Sequence, residues 1–281
     1  MPARPDRKDA AGALALDAAR EARQAWTLDP FSWLLLLPLA IASPGDSVAA
    51  RLHRADELAA VFALAPAAAA YEEVLDLDPT NADALIGVCR AYNDRGREAT
   101  GDEAVVYLET ALRHARRLQQ EFPDRPEGHF WVAATSGNLT AHRPAGEKVR
   151  LSREVERNAR LAITVDPCFA PAWAALGIYD REVASLPWFV RAVAGGLMGG
   201  LPGGSLEESA RKLEKAVALD PESVYDHYQL GLTYEKMKRP GEAAEQFRLA
   251  LESSPAEAQD PSAQADARER LSRLAPEPPK R

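Results

Sequence analysis

Cysteine is nearly missing: Cys89 and Cys168 are the only two in 281 residues, far apart and without CxxC spacing. That argues against a disulfide framework and against a thiolate zinc site. The five histidines, His53, His114, His129, His142 and His227, show neither His-x3-His nor HExxH spacing, so no metal-ligand pair is visible. A basic excess is missing too. Lys and Arg number 34 against 42 Asp and Glu, a net charge of −8, opposite to what phosphate neutralisation requires, and no nucleic acid is expected as partner. No Gly-Lys-Ser/Thr loop and no Gly-x-Ser-x-Gly elbow occurs, and no catalytic constellation appears. The chain is therefore not expected to be an enzyme or to carry a cofactor. Val and Ile are scarce beside Ala, which favours helices over strands.

Long apolar runs are also absent. Phe31–Ala42 is about a dozen residues, short of the roughly 20 that span a bilayer. Its length suits a signal-peptide core, and Ala40-x-Ala42 before Ser43 fits a cleavage site. Export to the periplasm or beyond is the expectation, with translation beginning near residue 28. A buried N-terminal helix is the alternative and would leave the protein cytoplasmic. No Cys follows the run, so a lipoprotein anchor has no support.

What is present is periodic. Val224–Pro255 carries Leu230-Gly231, Tyr234, Ala243, Phe247, Ala250 and Pro255, the spacing of one 34-residue tetratricopeptide helix pair. A small residue lets the two helices approach, large ones fill the groove between them, and proline ends the unit. The prolines Pro79, Pro123, Pro167, Pro221 and Pro255 lie 44, 44, 54 and 34 residues apart. Those intervals are the 34-residue unit with insertions of 10, 10, 20 and 0 residues. The fold class that follows is all-α: a right-handed α-solenoid of about five helix pairs with a C-terminal capping helix. The units span about 48–81, 82–125, 126–169, 170–223 and 224–257, and the cap spans 261–275. Residues 1–46 form an N-terminal extension, 47–275 the repeat domain and 276–281 a tail.

The insertions carry what the repeat does not explain. Asn93–Asp102 and Ser136–Glu147 should lengthen a connection or add a turn to the second helix, for binding or as spacers. Ala184–Ser205 differs in kind, because glycine doublets separate large apolar residues. It could plug the solenoid, dock a partner or ligand, or touch a membrane. Ser205 with Glu208 forms a capping box for the next helix. Basic stripes at Arg113–Arg117 and Lys148–Arg160 read either as solvated faces with i,i+4 pairs or as a groove for an acidic peptide. The candidate binding residues are His129, Trp131, Arg150, Arg153, Trp173, Trp188, Phe189, Met198, Leu201 and His227. His129 and His227 occupy the same place in their repeats, where core-edge packing is the simpler role.

Several stretches resemble one family. They are Glu127–Val132, Lys148–Glu154, the Asp166-Pro167 to Gly177 segment, and above all Leu186-Pro187-Trp188-Phe189 with Gly199–Glu208. Together they resemble the regulator of microtubule dynamics family and its bacterial relatives, a helical-repeat group similar to the T component associated with TRAP-type transporters. The resemblance covers about residues 50–275. It implies a non-enzymatic helical domain with microtubule, mitochondrial or membrane-contact roles in eukaryotic members, and export with solute presentation in bacterial ones.

Two functions follow as expectations. One is a non-catalytic scaffold whose concave groove binds a protein or peptide segment. The other is an exported accessory of solute uptake that binds a small ligand. Direct membrane contact and a homo-oligomer are further expectations.

Overall fold

A computed structural model describes residues 47–187 and 203–274. Among them are eleven α-helices and no strand. The helices are α1 (Val48–Ala60), α2 (Leu64–Leu77), α3 (Ala82–Glu98), α4 (Gly101–Glu121), α5 (Pro126–Leu139) and α6 (Ala145–Val165). They continue as α7 (Ala170–Ser185), α8 (Leu206–Leu219), α9 (Val224–Lys236), α10 (Pro240–Glu252) and α11 (Asp260–Leu274). None of them is long and apolar enough to cross a membrane.

Local chemistry sets the ends. Ser47, Asn81, Ser205 and Ser223 each accept the backbone N–H three residues on, at 3.0–3.1 Å, which satisfies an otherwise orphaned donor of the first turn. Pro126 and Pro240 occupy first-turn positions, where no N–H is needed. The repeated Asp-Pro exit also has a cause. The Asp78 carboxylate accepts the N–H of Thr80 at 3.2 Å, and Asp166 accepts that of Cys168 at 2.8 Å. Each is a side-chain turn that redirects the chain after a second helix.

Each helix packs on its sequence neighbours, and the first helices of successive pairs (α1, α3, α5, α7, α9) also touch along the array. That is an α-solenoid. The small-for-large exchange expected from the repeat is present at Gly231. A β-carbon there would lie 2.5 Å from Cε1 of Phe247, which is fully buried. Cys89 is fully buried as well, its Sγ 3.8 Å from the Ala111 carbonyl.

The two shorter insertions become helix. They lengthen α3 to 17 residues and α4 to 21, joined through Ala99 and Thr100 alone. In the next pair a 3-10 turn (Thr140–His142) follows α5, and α6 reaches 21 residues. Gly96 permits the extended crossing, because a β-carbon there would meet Leu108 Cγ at 2.6 Å.

Candidate functional site

The inner faces of α3, α5, α7 and α9 surround a cavity of about 300 Å³, within the range of small-ligand and side-chain pockets. The extended part of α3 supplies Asn93, Asp94 and Arg97, and the extended end of α5 supplies Gly137 and Asn138. The inserted turns are thus wall, not loop. Phe130, Trp131, Ala134, Val155, Ala175 and Ile178 form an apolar side contributed by α5, α6 and α7. Charged residues complete the lining, with Asp94 and Arg97 from α3, Asp220 at the end of α8, Asp226 in the first turn of α9, and Glu257 before α11. Five carboxylates, counting Glu182, line the cavity against two guanidiniums, Arg90 and Arg97.

Short polar contacts hold this wall in place. The Asn93 carboxamide oxygen accepts from Asn138 Nδ2 at 2.8 Å and from the Thr135 hydroxyl at 3.4 Å, tying α3 to α5. Its Nδ2 donates to Asp94 Oδ1 at 3.4 Å. From α7 the buried Arg181 donates to the Gln229 carbonyl at 2.9 Å and to Gln229 Oε1 at 2.6 Å, fixing α9. Arg97 sits over the Tyr225 ring, 5.6 Å from its centroid.

Burial dominates the titration of the acids. It pushes Asp94 up to about 6, against the downward pull of Arg97. It pushes Asp226 up to about 7, with the Glu257 and Asp220 carboxylates adding to the rise. Glu257 is raised as well, by removal of its carboxyl from water and by Asp260 and Asp220, against Arg90 and Arg97. Tyr179 also lines the cavity; its hydroxyl is fully buried and has no hydrogen-bond partner among the described residues.

Of the sequence-predicted candidates, Trp131 lines this cavity. His129 and His227 face the helix crossings instead. The Gln119 carboxamide donates to His129 Nδ1 at 2.6 Å and to Asn158 Oδ1 at 2.7 Å. His227 places Nε2 3.0 Å from the Pro221 carbonyl and Nδ1 2.8 Å from Gln246; since a carbonyl only accepts, Nε2 carries the proton. Trp173 is half-buried and donates its indole N–H to the Pro167 carbonyl at 2.9 Å. Arg150 lies with Arg113, Arg116, Arg117 and Arg143 along a separate cleft of α4 and α6. Four of those arginines are engaged internally: Arg116 with Glu154 at 2.9 Å, Arg117 with Glu121 at 2.8 Å, Arg150 with Glu154 at 3.6 Å, and Arg143 with Glu109. Arg153 is among the positive charges felt by Tyr179. Trp188, Phe189, Met198 and Leu201 lie outside the described residues.

Asn93, Asp94 and Arg97 fall in the insertion read as binding or spacer, whereas Arg90, Tyr179, Tyr225, Asp226 and Glu257 are wall residues that repeat reasoning missed. A signal for some of them exists. Arg90, Asp94 and Arg97 recur at helical spacing on α3, as do Pro171, Ala174, Ile178 and Glu182 on α7. No local signal marks Tyr225 or Glu257, because their approach to α3 is a property of the whole curve.

Helix pairs built on a 34-residue unit with insertions, packed in sequence and lining a groove with their first helices, define a tetratricopeptide-repeat protein. Comparison with known proteins gives the particular group: a family model described as "Regulator of microtubule dynamics protein 1-3" matches residues 51–275. The chain belongs to that family. It is 26% identical over 160 residues to regulator of microtubule dynamics protein 1 of Bos taurus, covering 56% of this chain and 50% of that one. The Mus musculus protein of the same name is 26% identical over 144 residues, covering 51% and 47%. The chain thus spans about half the length of the curated relatives it matches. Among solved structures, a thermophilic TPR protein from Thermus thermophilus aligns with a TM-score of 0.58 and 19% identity, covering 79% of this chain and all of that one. This likeness shows the fold.

Proposed function

We propose that the chain is a non-catalytic interaction scaffold that holds a segment of a protein partner in its concave groove. The observation that carries this reading is the cavity on the inner face, apolar along α5, α6 and α7 and charged along α3 and α9. An apolar floor supplies affinity and a few placed polar groups supply specificity, the usual composition of a recognition site. The fold supports the same reading, since stacked repeats present an extended inner surface.

The test is selection of a random peptide library on the full chain, compared with Ala175→Phe, which fills the floor of the cavity. Peptides retained by the native chain and lost by the variant are the expected result. Retention by both, or by neither, overturns the reading, provided the variant's helical circular dichroism matches that of the native chain.

A second reading, a small ligand held by an exported accessory of solute uptake, is favoured by the modest size of the cavity, about 300 Å³. Export itself rests on the sequence at 31–42, which lies outside the described residues. Mass spectrometry of the mature N-terminus tests it: a chain starting near Ser43 is the expected finding, and an intact N-terminus removes the proposal.

A further inference from the structure

We infer that the arginine cleft of α4 and α6 is a second recognition surface, one that takes an acidic peptide segment with an apolar side chain between its carboxylates. It lies apart from the inner cavity and does not rest on the groove reading.

The cleft is a product of an insertion. The second helices α2 and α8 have 14 residues each, whereas α6 has 21. All three end just before an Asp-Pro exit, so the surplus lies at the start of α6. Those added turns, with the connection before them, supply Arg143, Arg150 and Leu151. Arg113, Arg116 and Arg117 face them from α4 across a cleft of about 780 Å³. The 34-residue unit does not require any such feature.

Charge sets the partner. Five arginines line the cleft against two carboxylates, Glu109 and Glu147, on a chain of net charge −8. The internal pairs leave capacity unused. Glu154 serves two guanidiniums, Arg116 at 2.9 Å and Arg150 at 3.6 Å, and the Arg150 side chain is 62% exposed. Arg143 takes both Glu109 and Glu147. Arg113, exposed on α4, forms no ion pair among the described residues. Its charge acts through space on Glu72 and Tyr92. Exposed ion pairs contribute little, so a guest carboxylate can replace Glu154 on Arg150, or join Arg113, at small cost.

Geometry favours a chain over a single anion. All five cations are arginines, whose fork donates two parallel hydrogen bonds to a carboxylate. From Glu109 to Gln120 the α4 wall runs roughly 16 Å, the length of about five extended residues. Leu112, Leu139 and Leu151 line the same cleft and are recessed. They offer a place to one apolar side chain, which a flat anionic membrane surface would leave empty.

Fluorescence anisotropy on the full chain tests this with three labelled hexapeptides: acetyl-EELEEL-amide, acetyl-QQLQQL-amide and acetyl-EEGEEG-amide. At low salt EELEEL is expected to bind at least tenfold more tightly than QQLQQL and severalfold more tightly than EEGEEG. Raising the salt severalfold should cost it about tenfold, because exposed charges are screened. Arg113→Gln and Arg150→Gln, both at exposed side chains, should each weaken EELEEL severalfold. Arg248→Gln, an equal charge change at an exposed position of α10, should leave it unchanged, as should Ala175→Phe in the inner cavity. Equal binding of EELEEL and QQLQQL, or an equal loss from Arg248→Gln, overturns the inference. Loss of EELEEL on Ala175→Phe alone places the acidic peptide in the inner cavity, which overturns the inference and spares the groove reading. Flotation with vesicles of phosphatidylcholine and phosphatidylserine in equal parts is the last arm. Vesicle binding that Arg113→Gln abolishes, with no binding of EELEEL, makes the cleft a membrane site and overturns the inference as well.

Discussion

Arg97 stands over the Tyr225 ring with its guanidinium carbon 5.6 Å from the ring centroid, so the end of α3 is joined to the start of α9 across the groove. The contact closes the cavity at its charged side. It also places one arginine between Asp94 and Glu257, each of which it pulls downward.

Breaking that contact should loosen the closure without unfolding the array. A partly desolvated cation–π pair contributes about 0.5–2 kcal/mol. Tyr225→Leu is expected to lower the melting temperature by a few degrees. Amide hydrogen exchange should rise at the first turn of α9 and at the end of α3. Unchanged exchange at both ends would show that the contact closes nothing.

Gly231 should tolerate no side chain. Its replacement by Ala puts a β-carbon 2.5 Å from Phe247 Cε1, and overpacking of this kind costs about 1–3 kcal/mol. Phe247→Leu in the same chain should return part of that loss, which a double-mutant cycle in urea measures. Strict additivity of the two changes would place the strain elsewhere.

Arg181 should be the costliest polar side chain of α7 to remove. It is 4% exposed and donates to both the carbonyl and the side chain of Gln229. Truncation leaves those acceptors buried and unpaired, a loss of about 2–4 kcal/mol for Arg181→Ala. Equilibrium denaturation is the measurement, and a change below about 0.5 kcal/mol would rule the role out.

The acids of the cavity predict a particular pH dependence. Asp94 and Asp226 titrate at about 6 and 7 in the folded chain against 3.8 ordinarily. Between those values the folded state binds more protons than the unfolded one, so these groups lower stability as pH rises from about 4 to about 7. Asp226→Asn should therefore stabilise the chain at pH 8, by an amount of order 1–3 kcal/mol. The advantage should vanish near pH 4, where the native carboxyl is already neutral. Melting curves of the two proteins from pH 4 to pH 8 decide it, and a constant difference across that range would contradict it.

The thiols should separate cleanly. Cys168 is exposed and Cys89 is buried, where desolvation holds its thiol well above the ordinary range. A thiolate is the reactive form. One equivalent of a thiol reagent should be consumed by the native chain and a second only after denaturation. Two fast equivalents in the native state would mean that α3 and α4 open readily.

How far the sequence reached differs between fold and site. The 34-residue period, the Ser205–Glu208 capping box and the proline exits are local signals, the last two read within one or two helical turns. They were enough for the helix pairs and for the burial of Gly231, Phe247, Leu213 and Ala216. The candidate site residues divide by position: His129, Trp173 and His227 hydrogen-bond to Gln119, Pro167 and Gln246 at the helix crossings and exits, in keeping with the core-edge role read for the two histidines. Trp131, on the same helix as His129, reached the cavity.

By itself, then, the sequence determined which segments are helices and which small residues let them cross, because hydrophobic period and capping act over a few residues. Tertiary structure alone decided that the inserted turns of α3 and α5 become cavity wall. It also decided that Tyr225 and Glu257 come back to meet Asp94 and Arg97. The physical reason is cumulative: each helix pair turns slightly on the one before, and only the sum of those rotations brings α9 back toward α3.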